Sequence, residues 1–336
     1  MSMLTSIDRV AWLPAAVVST VLRNIRSVRR CIDRPLIVRP GGLGDLVVAT
    51  AAAEDLGLDP RDLDWVIEKR SAVWAKYLGL SYWCYDGSPT ALRPLLTASR
   101  ALCVNLEQRY GLAASFSHAA TAQRGRHVGF ASNRGSVLYS TRVPYDPFDQ
   151  HELRAFTSVL AAALGTTPKT AGVRTRRFPS AGHSVVSVSG TASPSRSWSA
   201  LEWIEMIRRF AHRAPDYITA APDDMLLARQ IASSIGESCQ VLTGDWSELC
   251  EYVRGAERVF TVDGGMVHVA SHFGVPVDAV FTAGRSAKWQ PWSEGSTTIR
   301  RTDLSCQPCT VFGAVPRCHW NYACKQRSEW RATPCR

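Results

Sequence analysis

No stretch of this chain is both long and apolar enough to cross a bilayer as a helix. The nearest candidate, Val10 to Leu22, falls short of the roughly 20 residues a span requires and contains Pro14. It also lacks the leader of a signal peptide, because its positive charges, Arg23, Arg26, Arg29 and Arg30, follow the apolar stretch. Acidic residues are in deficit, 29 against 39 basic ones, for a net charge of +10. The partner implied is anionic: nucleic acid, a membrane surface or a phosphorylated substrate, although a basic surface can serve solubility alone. Aromatic-interleaved RNA motifs and zinc-finger reading helices are missing, so nucleic acid is excluded as a partner. The spacing of a disulfide scaffold is missing as well. Of ten cysteines, six (Cys31, Cys84, Cys103, Cys239, Cys250 and Cys335) are scattered, mostly beside apolar residues, as reduced cytosolic thiols would be.

What is present suits two lobes with sizeable cores: 336 residues, 46% of them hydrophobic. Among the tryptophans, Trp74, Trp198, Trp289 and Trp292 stand in polar surroundings, where such rings either line a ligand cleft or pack in a core. Val10–Leu22 and the arginines behind it read either as a helix resting on an anionic leaflet or as one packed on the first lobe.

Apolar, β-branched runs alternate with helical patterns, which predicts βα units and parallel sheets. Strands are expected at Pro35–Arg39, Asp64–Glu68, Ala101–Leu106 and His127–Phe130, with a helix from Leu43 to Leu56. A helix over His151–Leu164 stops at Gly165. The second half repeats the alternation from Ser184 to Phe281, with helices expected at Met225–Ile235 and Trp246–Arg254 among others. The division expected is a basic amphipathic segment (1–34), a first Rossmann-like lobe (35–165), a linker (166–182), a second lobe (183–300) and a cysteine-rich tail (301–336).

Two strand-to-helix turns carry the chemistry. In Leu36-Ile-Val-Arg-Pro-Gly-Gly-Leu-Gly-Asp45, glycines (Gly42 and Gly44 among them) let the backbone approach a ligand, and the helix start offers N–H groups. The spacing is not that of a dinucleotide fingerprint, and no Walker lysine follows. Asp45 in the first helical turn is either a cap that complements the helix dipole or a catalyst. In Phe260-Thr-Val-Asp-Gly-Gly-Met-Val-His268, Asp263 ends a strand, Gly264 and Gly265 turn, and the amides of Gly265, Met266, Val267 and His268 open a helix. That arrangement suits a diphosphate, with Asp263 accepting from sugar hydroxyls. His268 either helps to hold a phosphate or is buried against the sheet. Between the turns, Val188–Trp198 is rich in small hydroxyl residues. Thr191 and Ser193 can donate to phosphate oxygens and Arg196 can pair with them, though a bland serine-rich loop would look the same. Near the end, Cys306, Cys309, Cys318 and Cys324 have the look of a tetrathiolate knuckle.

Taken in this order, the motifs resemble the family 9 glycosyltransferases, the ADP-heptose:lipopolysaccharide heptosyltransferases and their relatives. Arg39-Pro-Gly-Gly-Leu-Gly-Asp45 matches the family's R-x-G-x-L-G-D, and Asp263-Gly-Gly-Met-Val-His-Val-Ala270 matches its D-x-G-x-x-H-x-A. Gly274-Val-Pro276 and Trp289-Gln-Pro291 follow where expected, so the likeness runs over roughly residues 35–325. The resemblance implies an α/β protein of GT-B fold, two facing Rossmann-like lobes with a cleft between them. It also implies an inverting, metal-independent transfer, an ADP-sugar held mainly by the second lobe, and Asp45 as general base. The four terminal cysteines then suggest a structural zinc or iron site, since a similar cluster goes with iron in the autotransporter heptosyltransferases. Three departures touch donor recognition: Ser189-Gly190 stands for Pro-Gly, Arg196 for a lysine, and Gly264 for a threonine. The expected enzyme moves a heptose or similar sugar, from ADP-heptose by implication, to a lipid-linked acceptor such as lipopolysaccharide core at the cytoplasmic face of the inner membrane. The alternatives are a protein O-heptosyltransferase and a non-catalytic nucleotide-binding protein.

Overall fold

The computed structural model describes residues 3–25, 31–87, 98–167, 178–188, 194–311 and 315–335. The chain forms two compact units. The first comprises Met1–Asp146 and Glu152–Gly172, the second Pro147–His151 and Val173–Arg336.

The first unit holds a parallel sheet of β1 (Cys31–Ile32), β2 (Leu36–Arg39), β3 (Asp64–Ile67), β4 (Ser81–Cys84), β5 (Ser99–Asn105), β6 (Thr121–Phe130) and β7 (Thr141–Val143). The order is β4-β3-β2-β5-β6-β7, with β1 beside β5, and every pairing is parallel. Strand order therefore reverses between β2 and β5, and open α/β sheets bind ligands outside the strand ends at such a point. All four residues of β2 are buried, as in a parallel strand covered on both faces. Helix α2 (Leu43–Asp55) is buried without interruption from Leu46 to Ala53, which its small Ala and Val side chains allow.

Helix α1 (Met3–Ile25) carries Pro14 within it. It packs on α4 (Gly111–Ala120), the helix after α3 (Ala72–Leu78). Trp12 lies 3.4 Å from where a Cβ of Gly111 would be, and the Leu112 amide donates to Asp8 at 2.9 Å. Arg23 donates to the carbonyls of Ala122 at 3.0 Å and Gln123 at 2.9 Å. That arginine is thus turned onto the protein, while Arg26, Arg29 and Arg30 lie outside the described residues. Helix α5 (Glu152–Leu164) completes the unit and ends at Gly165, whose φ of 68° favours glycine.

The second unit repeats the plan. Its strands are β8 (His183–Val188), β9 (Tyr217–Ala220), β10 (Gln240–Val241), β11 (Ala256–Val262), β12 (Val277–Val280), β13 (Thr297–Arg300) and β14 (Arg331–Pro334). The order β10-β9-β8-β11-β12-β13-β14 reverses between β8 and β11, and only β14 runs antiparallel. Among the described residues five helices connect them: α6 (Ala200–Phe210), α7 (Met225–Ile235), α8 (Trp246–Arg254), α9 (Gly265–His272) and α10 (Ser286–Trp289). Ser199 and Glu202 form a reciprocal capping box at the start of α6. The cysteine-rich tail returns to the sheet as β14, and its Trp330 enters the core beside Trp198, Trp203 and Phe260. Trp74 and Trp198 are core residues; Trp74 satisfies its indole N–H on Thr50 Oγ1 at 3.0 Å.

Candidate active site

The first glycine turn sits at the point where strand order reverses. Arg39 ends β2, and its guanidinium is buried among acceptors from the segment after β5. Nη1 donates to Glu107 Oε2 and Gln108 Oε1, each at 3.2 Å, and Nη2 donates to Asp45 Oδ1. The other Asp45 oxygen accepts the Gly42 amide at 2.8 Å, fixing the start of α2. This back-folding needs Gly41, because a Cβ there would meet the Asp45 carboxylate at 2.8 Å. Ser71, after β3, pins the same turn by donating to the Gly41 carbonyl at 2.7 Å. Glu152, fully buried at the start of α5, accepts from Gln108 and from the Tyr145 hydroxyl.

One arginine thus faces three carboxylates. Burial pushes the Glu107 carboxyl above its ordinary value, against Arg39 and the amides of Arg109 and Tyr110. Burial alone would weaken the Arg39 charge, but Asp45, Glu107 and Glu152 outweigh it and hold the guanidinium more firmly protonated. The side chains of Arg39 and Glu107 are 6% exposed and that of Asp45 is 23% exposed. Asp45 is the accessible member of the group.

The second turn inverts that arrangement. Asp263 ends β11 and Gly264 leads into α9 in extended backbone. Arg196 donates from Nη1 to the Asp263 carbonyl at 3.3 Å and sets Nε 3.7 Å from its carboxylate. Here the acid is the inner partner, 10% exposed, and the arginine the outer one at 18%. Burial raises the Asp263 carboxyl and Arg196 opposes the shift. The carboxylate rests on Gly284, where any Cβ would collide with it. Asp263 and the opening of α9 thus form a helix N-terminus of the kind that receives phosphate.

Residues 111–316, more than half of the chain, match the family described as glycosyltransferase family 9 (heptosyltransferase). The chain belongs to glycosyltransferase family 9. No curated protein matches its sequence. Among solved structures it is similar to the heptosyltransferase WaaC of E. coli with ADP, at 17% identity and a TM-score of 0.61, covering 77% of this chain and 91% of that one. The ADP-heptose LPS heptosyltransferase II of E. coli gives 12% identity and 0.61, over 81% and 91%. A family 9 glycosyltransferase from Veillonella parvula gives 14% and 0.61, over 80% and 87%. These identities speak for the fold, which is that of the GT-B glycosyltransferases.

Within this glycosyltransferase the matched region contains the second turn and stops short of the first, so Asp45 stands on its own geometry. Of the expected donor residues, Arg196, Asp263, Gly264 and Gly265 come together. Met266 and Val267 are buried, and the Val267 amide already donates to the Gly264 carbonyl at 3.2 Å. His268 is buried with its ring 5.6 Å from both Trp289 and Trp292, which accords with the packing alternative. Gly42 and Gly44 belong to the first unit's turn, and Thr191 lies outside the described residues. Residue types alone did not single out Glu107, Gln108, Ser71 or Gly284. Their one signal is position, directly after the C-terminal ends of parallel strands.

The tail cysteines lie near one another in the second unit. Cys306, Cys309 and Cys318 come close enough to Cys324 to help burial push its thiol up to about 11. Yet among the described residues no group of three or more His, Cys, Asp or Glu side chains is arranged to hold a metal ion. Cys309 is tied through its amide to the Ala283 carbonyl, the Cys318 sulfur accepts the Tyr322 amide, and the Cys324 carbonyl accepts the Trp330 indole.

Proposed function

We propose that this family 9 enzyme transfers a heptose, or a similar sugar, from an ADP-sugar to a hydroxyl of lipopolysaccharide core or another lipid-linked glycan. The reaction inverts C1, needs no metal, and uses Asp45 as general base. The observation that carries the reading is the half-buried, accessible position of Asp45 in an otherwise buried charge group. Starting α2 takes a single bond to the Gly42 amide. Burying an arginine with three carboxylates costs several kcal/mol and is kept where the position of a charge matters. The donor is supported by the second turn's fitness for a diphosphate, and the relative WaaC is known with ADP and with ADP-2-deoxy-2-fluoro heptose.

In this mechanism the acceptor oxygen attacks C1 and its proton passes to Asp45. The bond from C1 to the diphosphate breaks, and the electron pair leaves with the ADP. The amides opening α9 and the outer cation Arg196 meet the charge that develops there. Arg39 and Glu107 hold the base in place. The site of action is the cytoplasmic face of the inner membrane. Intact-mass analysis of lipid acceptor and of protein after incubation with ADP-, GDP- and UDP-sugars tests the reading. Sugar on the lipid acceptor, lost in Asp45→Ala with donor binding kept, supports it. Sugar on protein would replace the acceptor, and full activity in Asp45→Ala would remove the base.

A further inference from the structure

Helix α1 is apolar on two sides. Toward the protein it buries Ala16 and Ser19, packs on α4 and spends Arg23 on carbonyls of β6. On the other side Leu13, Val17 and Val21, four residues apart and hence on one face, are 58%, 60% and 51% exposed. Val18 beside them is 56% exposed, and Pro14 is exposed too. Scattered surface apolar residues are ordinary. A helix that served only to close its unit would carry polar residues along this whole arc.

The charges around the helix identify what covers it. The elements packed against α1 are α4, β6 and the short 3-10 turn Arg134–Leu138. They carry exposed Arg124, Arg126 and Arg134 and not one carboxylate. Asp8 of α1 itself is turned inward onto the Leu112 amide. Val137, on the 3-10 turn, adds another apolar side chain at 61% exposure. A second copy of this chain would set these arginines against their own kind. An anionic lipid surface accepts both the apolar face and its cationic rim. No described helix is long and apolar enough to cross a membrane, so α1 would lie along the surface.

We infer that α1 is a membrane-docking face, with Leu13, Val17, Val18 and Val21 entering the apolar edge of an anionic bilayer while Arg124 and Arg134 meet its headgroups. Because Asp8, Trp12 and Arg23 anchor the helix to the first unit, docking holds that unit directly at the surface rather than through a tether. The inference agrees with the proposed lipid-linked acceptor but is tested without any transfer reaction, so either can fail alone.

The test is flotation of the full chain with phosphatidylcholine vesicles, with and without about a third phosphatidylglycerol. The chain should float with the anionic vesicles only, and added salt should weaken the binding. Val17→Glu with Val21→Glu should lower the bound fraction by about tenfold or more. Arg124→Glu with Arg134→Glu should lower it on anionic vesicles while the melting temperature stays put. Val17→Ser with Val21→Ser, a gentler pair, controls for folding and should also bind less. Failure to float, or flotation indifferent to both pairs at positions 17 and 21, overturns the inference. So does a dimer in solution that the glutamate pair dissociates, which would give the face to a second copy.

Discussion

Asp45 spends both carboxylate oxygens inside its own unit, one on Arg39 and one on the Gly42 amide. Asp45→Asn keeps the shape and one acceptor oxygen but removes the charge. Loss of a general base should cut transfer about 10²–10⁴-fold. It should also cost about 1–3 kcal/mol of stability in urea unfolding, because buried Arg39 loses a counter-charge. ADP affinity should not move. A variant that loses stability and keeps its turnover would make Asp45 a helix cap and nothing more. Arg39→Lys separates the two roles further. A lysine cannot reproduce the fork that reaches Asp45, Glu107 and Gln108 together. Turnover should fall with little change in KM. Asp45 was legible in the sequence because glycines and a helix start surround it. Glu107 and Glu152 were not, since nothing local marks a glutamate that meets Arg39 from so far along the chain, 68 residues away for Glu107 and farther for Glu152.

At the scale of elements, each acid depends on a neighbouring glycine, and Gly41 offers the cleaner test. Gly41→Ala puts a methyl 2.8 Å from the Asp45 carboxylate, whereas Gly42→Ala makes ordinary contacts, 3.5 Å from the Arg70 guanidinium and 3.7 Å from the Asp45 carboxylate. The first should abolish transfer and lower the melting temperature. The second should lose less of both, and equal losses would detach Asp45 from the turn. Elements with strong periodicity were readable in the sequence: Met225–Ile235 and Trp246–Arg254 form helices over the expected residues. Helix α4 was missed because Gly-Leu-Ala-Ala-Ser-Phe-Ser-His-Ala-Ala has small residues on every side and no apolar stripe. Strand β14 was missed because Arg-Ala-Thr-Pro is polar, and only an edge position tolerates its proline. The seam of α4 and β6 should also set an acid limit. His127 is buried, and desolvation lowers its pKa to about 3; His118 beside it falls to about 4. Both folded values lie below the ordinary 6.5. The unfolded chain therefore takes up these protons first, and stability should be lost as pH falls from 6.5, toward 4 for His118 and toward 3 for His127. Thermal melts of wild type and His127→Gln should diverge above that window and converge within it. A variant with an unchanged slope would clear His127.

Across the whole molecule the same device occurs twice with its polarity reversed. Each unit seats an aspartate on a glycine, pairs it with an arginine, and places both where strand order reverses. In the first unit the arginine is inside and the acid outside; in the second the acid is inside and the arginine outside. An outward acid suits proton removal, and an outward cation beside a helix start suits a diphosphate. The repeated βα alternation made two units legible in the sequence. The reversal was not, because both motifs read simply as glycines near an aspartate. It makes a prediction about binding that needs no acceptor. An ADP-sugar at about a hundred times its Kd should stabilise the second unit by about 2.7 kcal/mol, raising its melting temperature by a few degrees. Asp45→Asn should keep that shift, and Arg196→Ala should lose most of it. GDP- and UDP-sugars should shift the wild type less. A shift that survives Arg196→Ala and disappears in Asp45→Asn would exchange the roles of the two units. The donor would then belong to the turn at Arg39–Asp45, and the acid there could not be the base.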